Sequence, residues 1–413
     1  NQNIVKSVLI FLLYDNIHIT HCPQLFLRIK VSEHKTLTHN VLNFIFIKQF
    51  HKGMSYHFLL YRILYNICKF VKTDTVLVVS IVLAVISMLA VKPDRQYLTY
   101  IDFRTLAILF CLMTIVAVFR QEGIFDFIAD KVLNKVKNTS SIVLTLVLLC
   151  FFMSMIITND VALITFVPLA IIILNKTEEC VREKWILNCV AMQTVAANLG
   201  SMLTPIGNPQ NLFLYGKLNS ESSNTGVLGF VELMLPYCVV SLILLIVWVA
   251  ALKIILEKRS DDRNVKNQSD TGNIRKVYGK TLKNVNKAYL INYSALFLIS
   301  ILAVAHKVHY IIPLILVLLY SVIRNRKVLT KVDYSLLATF VALFIFIGNV
   351  GRIPFFSHAL MRIIGGRETI TAIIASQVIS NVPAAILLAG FTDNISALIV
   401  GTNIGGLGTL IAS

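Results

Sequence analysis

Apolar runs succeed one another along the chain, near residues 75–91, 105–119, 140–174, 186–215, 230–256, 289–305, 310–323, 335–350, 369–391 and 395–413. About 20 such residues cross a bilayer as a helix, so the pattern predicts an all-α polytopic membrane protein. Polar residues interrupt these runs in few places, and the interruptions come in pairs. Thr158-Asn159 is followed by AANLGSMLTPIGN over 196–208, and Ser380-Asn381 by GTNIGGLGTLIAS over 401–413. Aligned on asparagine, Asn198 matches Asn403, Gly200 matches Gly405, Thr204 matches Thr409 and Ile206 matches Ile411. Related helix starts precede them, DFRTLA at 102–107 and DYSLLA at 333–338. The chain therefore reads as an internal duplication. Helix-breaking polar interruptions at corresponding places of two apolar halves point to a transporter binding site near the bilayer midplane.

The basic residues predict how the halves are oriented. The segment 257–288 carries nine Lys and Arg against four acids, and Arg324-Asn325-Arg326-Lys327 follows two spans later. Both belong on the cytoplasmic side by the positive-inside rule, which makes 289–305 and 310–323 a hairpin out and back. The run 140–174 is too long for one upright crossing, is broken at Thr158-Asn159-Asp160, and has basic residues at both ends. It is expected to be re-entrant, entering and leaving on one side, as non-helical backbone at membrane depth is tolerated only where protein or a watery cavity satisfies it. Counting crossings, the helix after Asp102 runs from outside to inside and its copy after Asp333 runs the other way. The fold expected is two inverted repeats, each with a re-entrant hairpin and a broken helix. Residues 122–137 and 352–367 read as interfacial amphipathic helices.

The expected organisation is 1–53, 54–96 with the first membrane helix, repeat 1 over 97–256, the basic cytoplasmic loop 257–288, a linking hairpin 289–330, and repeat 2 over 331–413. Residues 1–53 hold no Met and five of the nine His, and Met54 reads as the start, with 1–53 an upstream segment. Repeat 1 continues through a helix at 230–256 whereas repeat 2 stops at Ser413, so a final helix is expected beyond it.

Composition sharpens the class. Mean hydropathy is +0.75, with 56% hydrophobic and 14% charged residues, far from the quarter or so charged in soluble domains. The net charge of +17 sits in clusters between apolar runs, without the aromatic interleaving of a nucleic-acid surface. The seven cysteines show no metal or CxxC spacing, which predicts buried free thiols. No GxxxxGK[ST] motif is present, which argues against ATP hydrolysis, and no enzyme constellation competes. His306 and His309 read as interfacial residues of an outer loop.

The interruptions carry the candidate chemistry. Asp160 at membrane depth costs about 2.5–3.5 kcal/mol on insertion scales and so needs a cavity, a cation or a donor. It either caps the outgoing helix or couples a cation or proton. Two prolines and two glycines within Thr204-Pro205-Ile206-Gly207-Asn208-Pro209 and the preceding Asn198-Leu199-Gly200-Ser201 predict a helix split into halves. Exposed carbonyls of one half suit a cation and N–H groups of the other an anion; the alternative is a kinked packing helix with small contact residues. Ser376 to Ser380 repeats the four-residue spacing of Ser154 to Thr158. On a continuing helix each pair of hydroxyls shares a face, a small oxygen cage for a hard cation.

At these residues, ANLGSMLTPIGNPQNL and SNVPAAILL above all, the chain resembles the ion transporter superfamily. That group holds divalent-anion:sodium symporters, citrate-transporter-like permeases, arsenite permeases and a class of sodium/proton antiporters. The resemblance covers roughly residues 75–413. It implies a multi-pass protein of the plasma (inner) membrane that moves a small anion, an inorganic oxyanion or a carboxylate, coupled to sodium or protons by alternating access. It implies one sodium site at Ser154, Thr158, Asn159 and Gly200 and another at Ser376, Ser380, Asn381 and Gly405. Substrate would lie among Thr158, Asn159, Asp160, Asn198, Ser201, Thr204, Pro205, Asn208, Ser380, Asn381, Val382, Pro383, Asn403 and Thr409. Dicarboxylate members carry Ser-Asn-Thr at both tips, whereas Asp160 and Val382 stand third here, nearer the arsenite-permease and sodium/proton-antiporter branch. The partners expected are the small anion, the bilayer and a second copy in a homodimer, with no nucleic acid and no cofactor beyond sodium ions. Arsenite efflux, sodium/proton exchange and a non-transporting scaffold or receptor are the alternatives.

Overall fold

The computed structural model describes residues 74–133, 136, 139–175, 179–221, 226–261 and 287–407, and among these the regular structure is entirely helical. The segment 1–53, most of the basic loop 257–288, and Thr409 lie outside the described residues. The helices fall where the apolar runs predict them. The first half comprises α1 (Thr75–Ala90), α2 (Tyr97–Tyr100), α3 (Phe103–Gln121), α4 (Ile124–Leu133), α5 (Thr139–Ser154), α6 (Asn159–Leu174), α7 (Glu179–Ser201), α8 (Pro209–Glu221) and α9 (Gly226–Asp261). Then come α10 (Lys287–Val304), α11 (Ile311–Arg324) and α12 (Arg326–Leu329). The second half comprises α13 (Tyr334–Gly351), α14 (Pro354–Ile364), α15 (Glu368–Ile379), α16 (Asn381–Leu388) and α17 (Ile395–Gly405). Among the described residues three helices are long and apolar enough to cross a membrane, Phe103–Gln121, Gly226–Ile255 and Tyr334–Gly351, and seven shorter ones are apolar.

The same local devices occur in both halves. Asp102 caps α3 by accepting from the Thr105 amide, and Asp333 caps α13 by accepting from the Leu336 amide, at nearly identical backbone angles. Each cap satisfies one of the donors that a helix N-terminus leaves unpaired. In the first half the pair α5 and α6 packs on α7, and in the second the pair α15 and α16 packs on α17.

Small residues set these contacts. A Cβ on Gly200 of α7 would overlap the Phe151 carbonyl oxygen and Ser154 Oγ of α5. On Gly405 of α17 it would strike Ser376 and Ile373 of α15, and on Gly401, one turn earlier, Ala372 and Thr369. Small residues let helix backbones approach closely where lipid supplies no hydrophobic drive for association.

The cysteines behave as expected where described: Cys111, Cys150, Cys189 and Cys238 are free and buried. At the N-terminal side, α1 lies along α13. Asn349 Nδ2 donates to Ser87 Oγ at 2.9 Å and to Tyr97 OH at 2.8 Å. Arg352 meets Asp94 at 2.7 Å, and Gly348 lies against the Tyr100 ring so closely that a Cβ there would overlap it.

Candidate functional site

Each polar interruption is a break between helices. α5 ends at Ser154, a turn follows, and α6 begins at Asn159 with Thr158 in extended backbone at the N-cap position. The Ser154-to-Thr158 spacing therefore does not lie on one helix face, a correction to the stacked-hydroxyl expectation: turn residues intervene and the helical angles stop before Thr158. In the second half Ser380 takes φ +75 and ψ 159 between α15 and α16. Only glycine enters that region readily, and holding another residue there costs about 1–3 kcal/mol, so the second tip is strained.

Asp160 is not the cap of α6. It sits in the first turn, where the positive end of the helix favours a carboxylate, and Asn159 Oδ1 accepts its amide at 2.8 Å. Its side chain opens into a cavity of about 550 Å³. Thr158, Pro209, Arg120, Lys331 and Asp333 line the same space. Of the residues expected from sequence, Thr158 and Asp160 reach this wall. Arg120, Lys331 and Asp333 were not expected there, although Asp333 had already marked the repeat.

The remaining first-half residues form a closed hydrogen-bonded knot behind the wall. Asn159 Nδ2 donates to Asn198 Oδ1 at 2.9 Å, and the Asn159 amide to the Gly207 carbonyl at 3.3 Å. Ser201 Oγ donates to the Asn198 carbonyl at 2.9 Å and accepts from Asn208 Nδ2 at 2.7 Å. Thr204 Oγ1 donates to the Met155 carbonyl, and Ser154 Oγ to the Phe151 carbonyl at 2.9 Å. Pro205 is buried in the break, and Pro209 opens α8 at a position whose missing N–H costs nothing. Gln193, fully buried, donates to the Phe166 carbonyl at 3.1 Å and ties α7 to α6.

The second-half residues are arranged differently. Ser376, Asn381 and Asn403 are buried, and among the described residues Ser376 Oγ, Asn381 Oδ1 and Asn403 Oδ1 each lack a hydrogen-bond partner. Asn208 Oδ1 is the one such atom among the expected first-half residues. Unpartnered buried oxygens are costly and are the ligand type a hard cation takes. Gln377 Nε2 donates to the Gly405 and Leu407 carbonyls beside them. Pro383 is buried and Val382 partly so, at the start of α16.

A residue that sequence reasoning missed joins the halves. Asn211 on α8 accepts from Asn403 Nδ2 at 2.7 Å and donates to the Ser201 and Thr204 carbonyls at 3.3 and 3.4 Å. α8 packs against both α16 and α17. The signal was present, since Asn211 closes the run GNPQN at 207–211.

A second cavity, of about 510 Å³, reaches Phe213, Gly216 and Lys217 further along α8, and Asp102 and Arg104 at the other end of α3. The two cavities thus approach α8 at Pro209 and at Phe213. Four residues of helix are about 6 Å. In that interval lie the Asn211–Asn403 bond and the Phe213–Phe344 ring pair, centroids 5.5 Å apart.

Residues 63–413 match the citrate transporter family. The chain belongs to that family. It is 34% identical over 315 residues to an uncharacterized transporter of Methanocaldococcus jannaschii, covering 76% of this chain and 79% of the relative. It is 28% identical over 318 residues to the inner membrane protein YbiR of Escherichia coli, covering 76% and 78%. The human P protein matches at 28% over 167 residues, 39% of this chain and 19% of that protein. The family member described here is therefore a membrane transporter of the anion-permease kind, as the resemblance at the two interruptions implied.

Proposed function

We propose that this protein is a secondary active transporter of a small anion, an inorganic oxyanion or a carboxylate, coupled to sodium or protons and working by alternating access in the plasma (inner) membrane. The observation that carries this is the pair of cavities meeting α8 one helical turn apart. A barrier so thin needs only a small displacement to pass a substrate from one cavity to the other, which is what alternating access requires. In this reading the α5–α6 and α15–α16 hairpins are re-entrant, the repeats are inverted, and the hairpins move with substrate against the remaining helices. Substrate meets the Thr158-Asn159 tip first, from the larger cavity, with Arg120 and Lys331 offsetting Asp160 and Asp333.

The coupling cation is assigned to the second half, where Ser376, Asn381 and Asn403 hold unpartnered oxygens, in preference to the first half, whose Ser154 and Asn159 are already engaged. One observation favours a second reading, sodium/proton exchange or arsenite efflux: Asp160 faces a cavity in the company of Asp333, where a carboxylate can exchange a proton. Initial rates in proteoliposomes, for a panel of citrate, succinate, sulfate, phosphate and arsenite, with and without sodium and pH gradients, test both. Gradient-driven uptake of citrate, succinate, sulfate or phosphate supports the first reading. Sodium-for-proton exchange or movement of arsenite, with none of these four anions moved, supports the second and overturns the first.

A further inference from the structure

The C-terminal end of α17 is held by a side chain that the proposed function leaves unused. Gln377 of α15 donates from Nε2 to the Gly405 carbonyl and, at 2.6 Å, to the Leu407 carbonyl. Two carbonyl oxygens can be met only by the N–H end of a carboxamide, which fixes how the amide is turned. The backbone between those carbonyls lies directly on the second tip. A Cβ on Gly405 would come within 2.8 Å of Ser376 Cβ, and one on Gly406 within 2.6 Å of Asn381 Nδ2. Ser376 is fully buried and Asn381 is 5% exposed, and among the described residues Ser376 Oγ and Asn381 Oδ1 lack a partner. A hydroxyl, a carboxamide oxygen and two backbone carbonyls thus surround one helix end, and Gln377 supplies the donor that holds the carbonyls.

The first half is built otherwise. Aligned on the tips, Gln377 corresponds to Met155, a thioether with no hydrogen to donate. The Gly200 carbonyl, counterpart of that of Gly405, accepts from the Leu203 amide at 3.2 Å. Ser154 Oγ donates to the Phe151 carbonyl, and Asn159 Oδ1 accepts from the Asp160 amide. Its polar atoms are satisfied locally. Capping of orphan carbonyls at a helix end accounts for the two Gln377 bonds, but it does not account for the open oxygens beside them. Hydroxyl, carboxamide and carbonyl oxygens are the ligands of a hard cation, and an N–H donor takes up the same lone pairs.

We infer that Gln377 competes with the coupling cation for the Gly405 and Leu407 carbonyls. Its amide holds them here, and it must swing away before they can join Ser376 and Asn381 as ligands. The inference rests on the assignment of that cation to the second half and adds to it a positioning residue that sets the affinity. An ion that binds only the unlatched form has its apparent affinity lowered by the unlatched fraction. The amide's return also gives the ion a way out.

Sodium-dependent melting of the purified full chain in detergent tests this, with choline replacing sodium at constant ionic strength. Gln377→Met installs the first-half residue and removes the donors at similar length, and Gln377→Asn withdraws them by one methylene. Each is expected to melt below the unsubstituted protein in choline and to regain the loss in sodium. The apparent sodium dissociation constant should fall about tenfold, the weight of one or two net hydrogen bonds. A glutamine that only caps would lower melting equally in both salts, which overturns the competition. Should Gln377→Met fail to elute as a monodisperse species, Gln377→Asn carries the test. Equal dissociation constants in all the proteins also overturn it; the cation assignment then stands if Asn381→Ala abolishes the sodium shift and falls if the shift survives. No sodium shift in the unsubstituted protein or in either variant overturns both.

Discussion

Asn211 and Asn403 lie 192 positions apart and share a 2.7 Å hydrogen bond between buried carboxamides. Asn211 is also held by the Ser201 and Thr204 carbonyls, so one side chain bridges both polar interruptions. Asn211→Ala and Asn403→Ala are expected to be non-additive, with a coupling energy between about 0.6 kcal/mol, the average for such bonds in a membrane protein, and about 1.7, the largest seen there. Reversible unfolding in mixed micelles of the singles and the double measures it. Strict additivity would show that the bond contributes nothing to holding the halves together.

Gly200→Ala and Gly405→Ala should each destabilise by about 1–3 kcal/mol, the usual cost of forced overpacking, because the added methyl meets the α5 backbone in one case and α15 in the other. Gly351→Ala, with nothing within 4 Å of its Cβ position, is the control and should be neutral or stabilising. Melting temperatures in detergent distinguish them, and equal values for all three would discredit the close packing.

Ser380→Gly should raise stability, by up to about 1–3 kcal/mol, through relief of the φ +75 backbone, while slowing transport through loss of the hydroxyl. Thr158→Gly, in ordinary extended backbone, should lower stability instead. The opposite signs are the diagnostic, and a destabilised Ser380→Gly would argue that its hydroxyl outweighs the strain.

Asp160→Asn keeps the shape of the α6 N-terminus but removes the charge facing the cavity. Loss of a charge–dipole interaction of about 0.3–1 kcal/mol is the expected stability cost, whereas transport should lose its pH or sodium dependence. Rates against pH with and without sodium are the measurement. Unchanged profiles would exclude Asp160 from coupling.

His306 provides a pH signature. Its folded-state pKa lies below the ordinary value of about 6.5, so the unfolded chain takes up a proton first as pH falls. The stability contribution is therefore lost as pH drops below about 6.5 and through the folded value, and regained above it. Asp102, Arg104, Tyr215 and Lys217 lie around it, and Arg104 is the one whose charge acts on it. His306→Gln should flatten the melting temperature between pH 5 and 7, and an unaltered slope would assign that dependence elsewhere.

Helix positions were legible because a membrane span writes itself as an uninterrupted apolar run, and the first-half break because Pro205 and Pro209 lack an amide donor and Gly207 frees the backbone. Asp102 and Asp333 were legible as the starts of related helices, and the structure adds that each caps its helix. Asn211 was not, because its importance depends on which helix stands opposite, a matter of tertiary packing. Nor were Arg120 and Lys331, whose place emerges only where α3 and the turn before α13 line one cavity. The strain at Ser380 was hidden too: Thr158 and Ser380 are equivalent in sequence, yet only one is forced into positive φ.

In the alternating-access reading, the short stretch of α8 between Pro209 and Phe213 is also where membrane voltage would act. With the two cavities open to opposite sides and filled by water and mobile ions, each takes the potential of its own bulk phase, and the transmembrane drop falls across that stretch instead of the roughly 30 Å of hydrocarbon. An elementary charge moved past the Asn211–Asn403 bond would then experience about 2.3 kcal/mol per 100 mV over a single helical turn. The electric field there would be several times that in the surrounding bilayer, and a small rearrangement at this bond would carry most of the voltage dependence of the cycle.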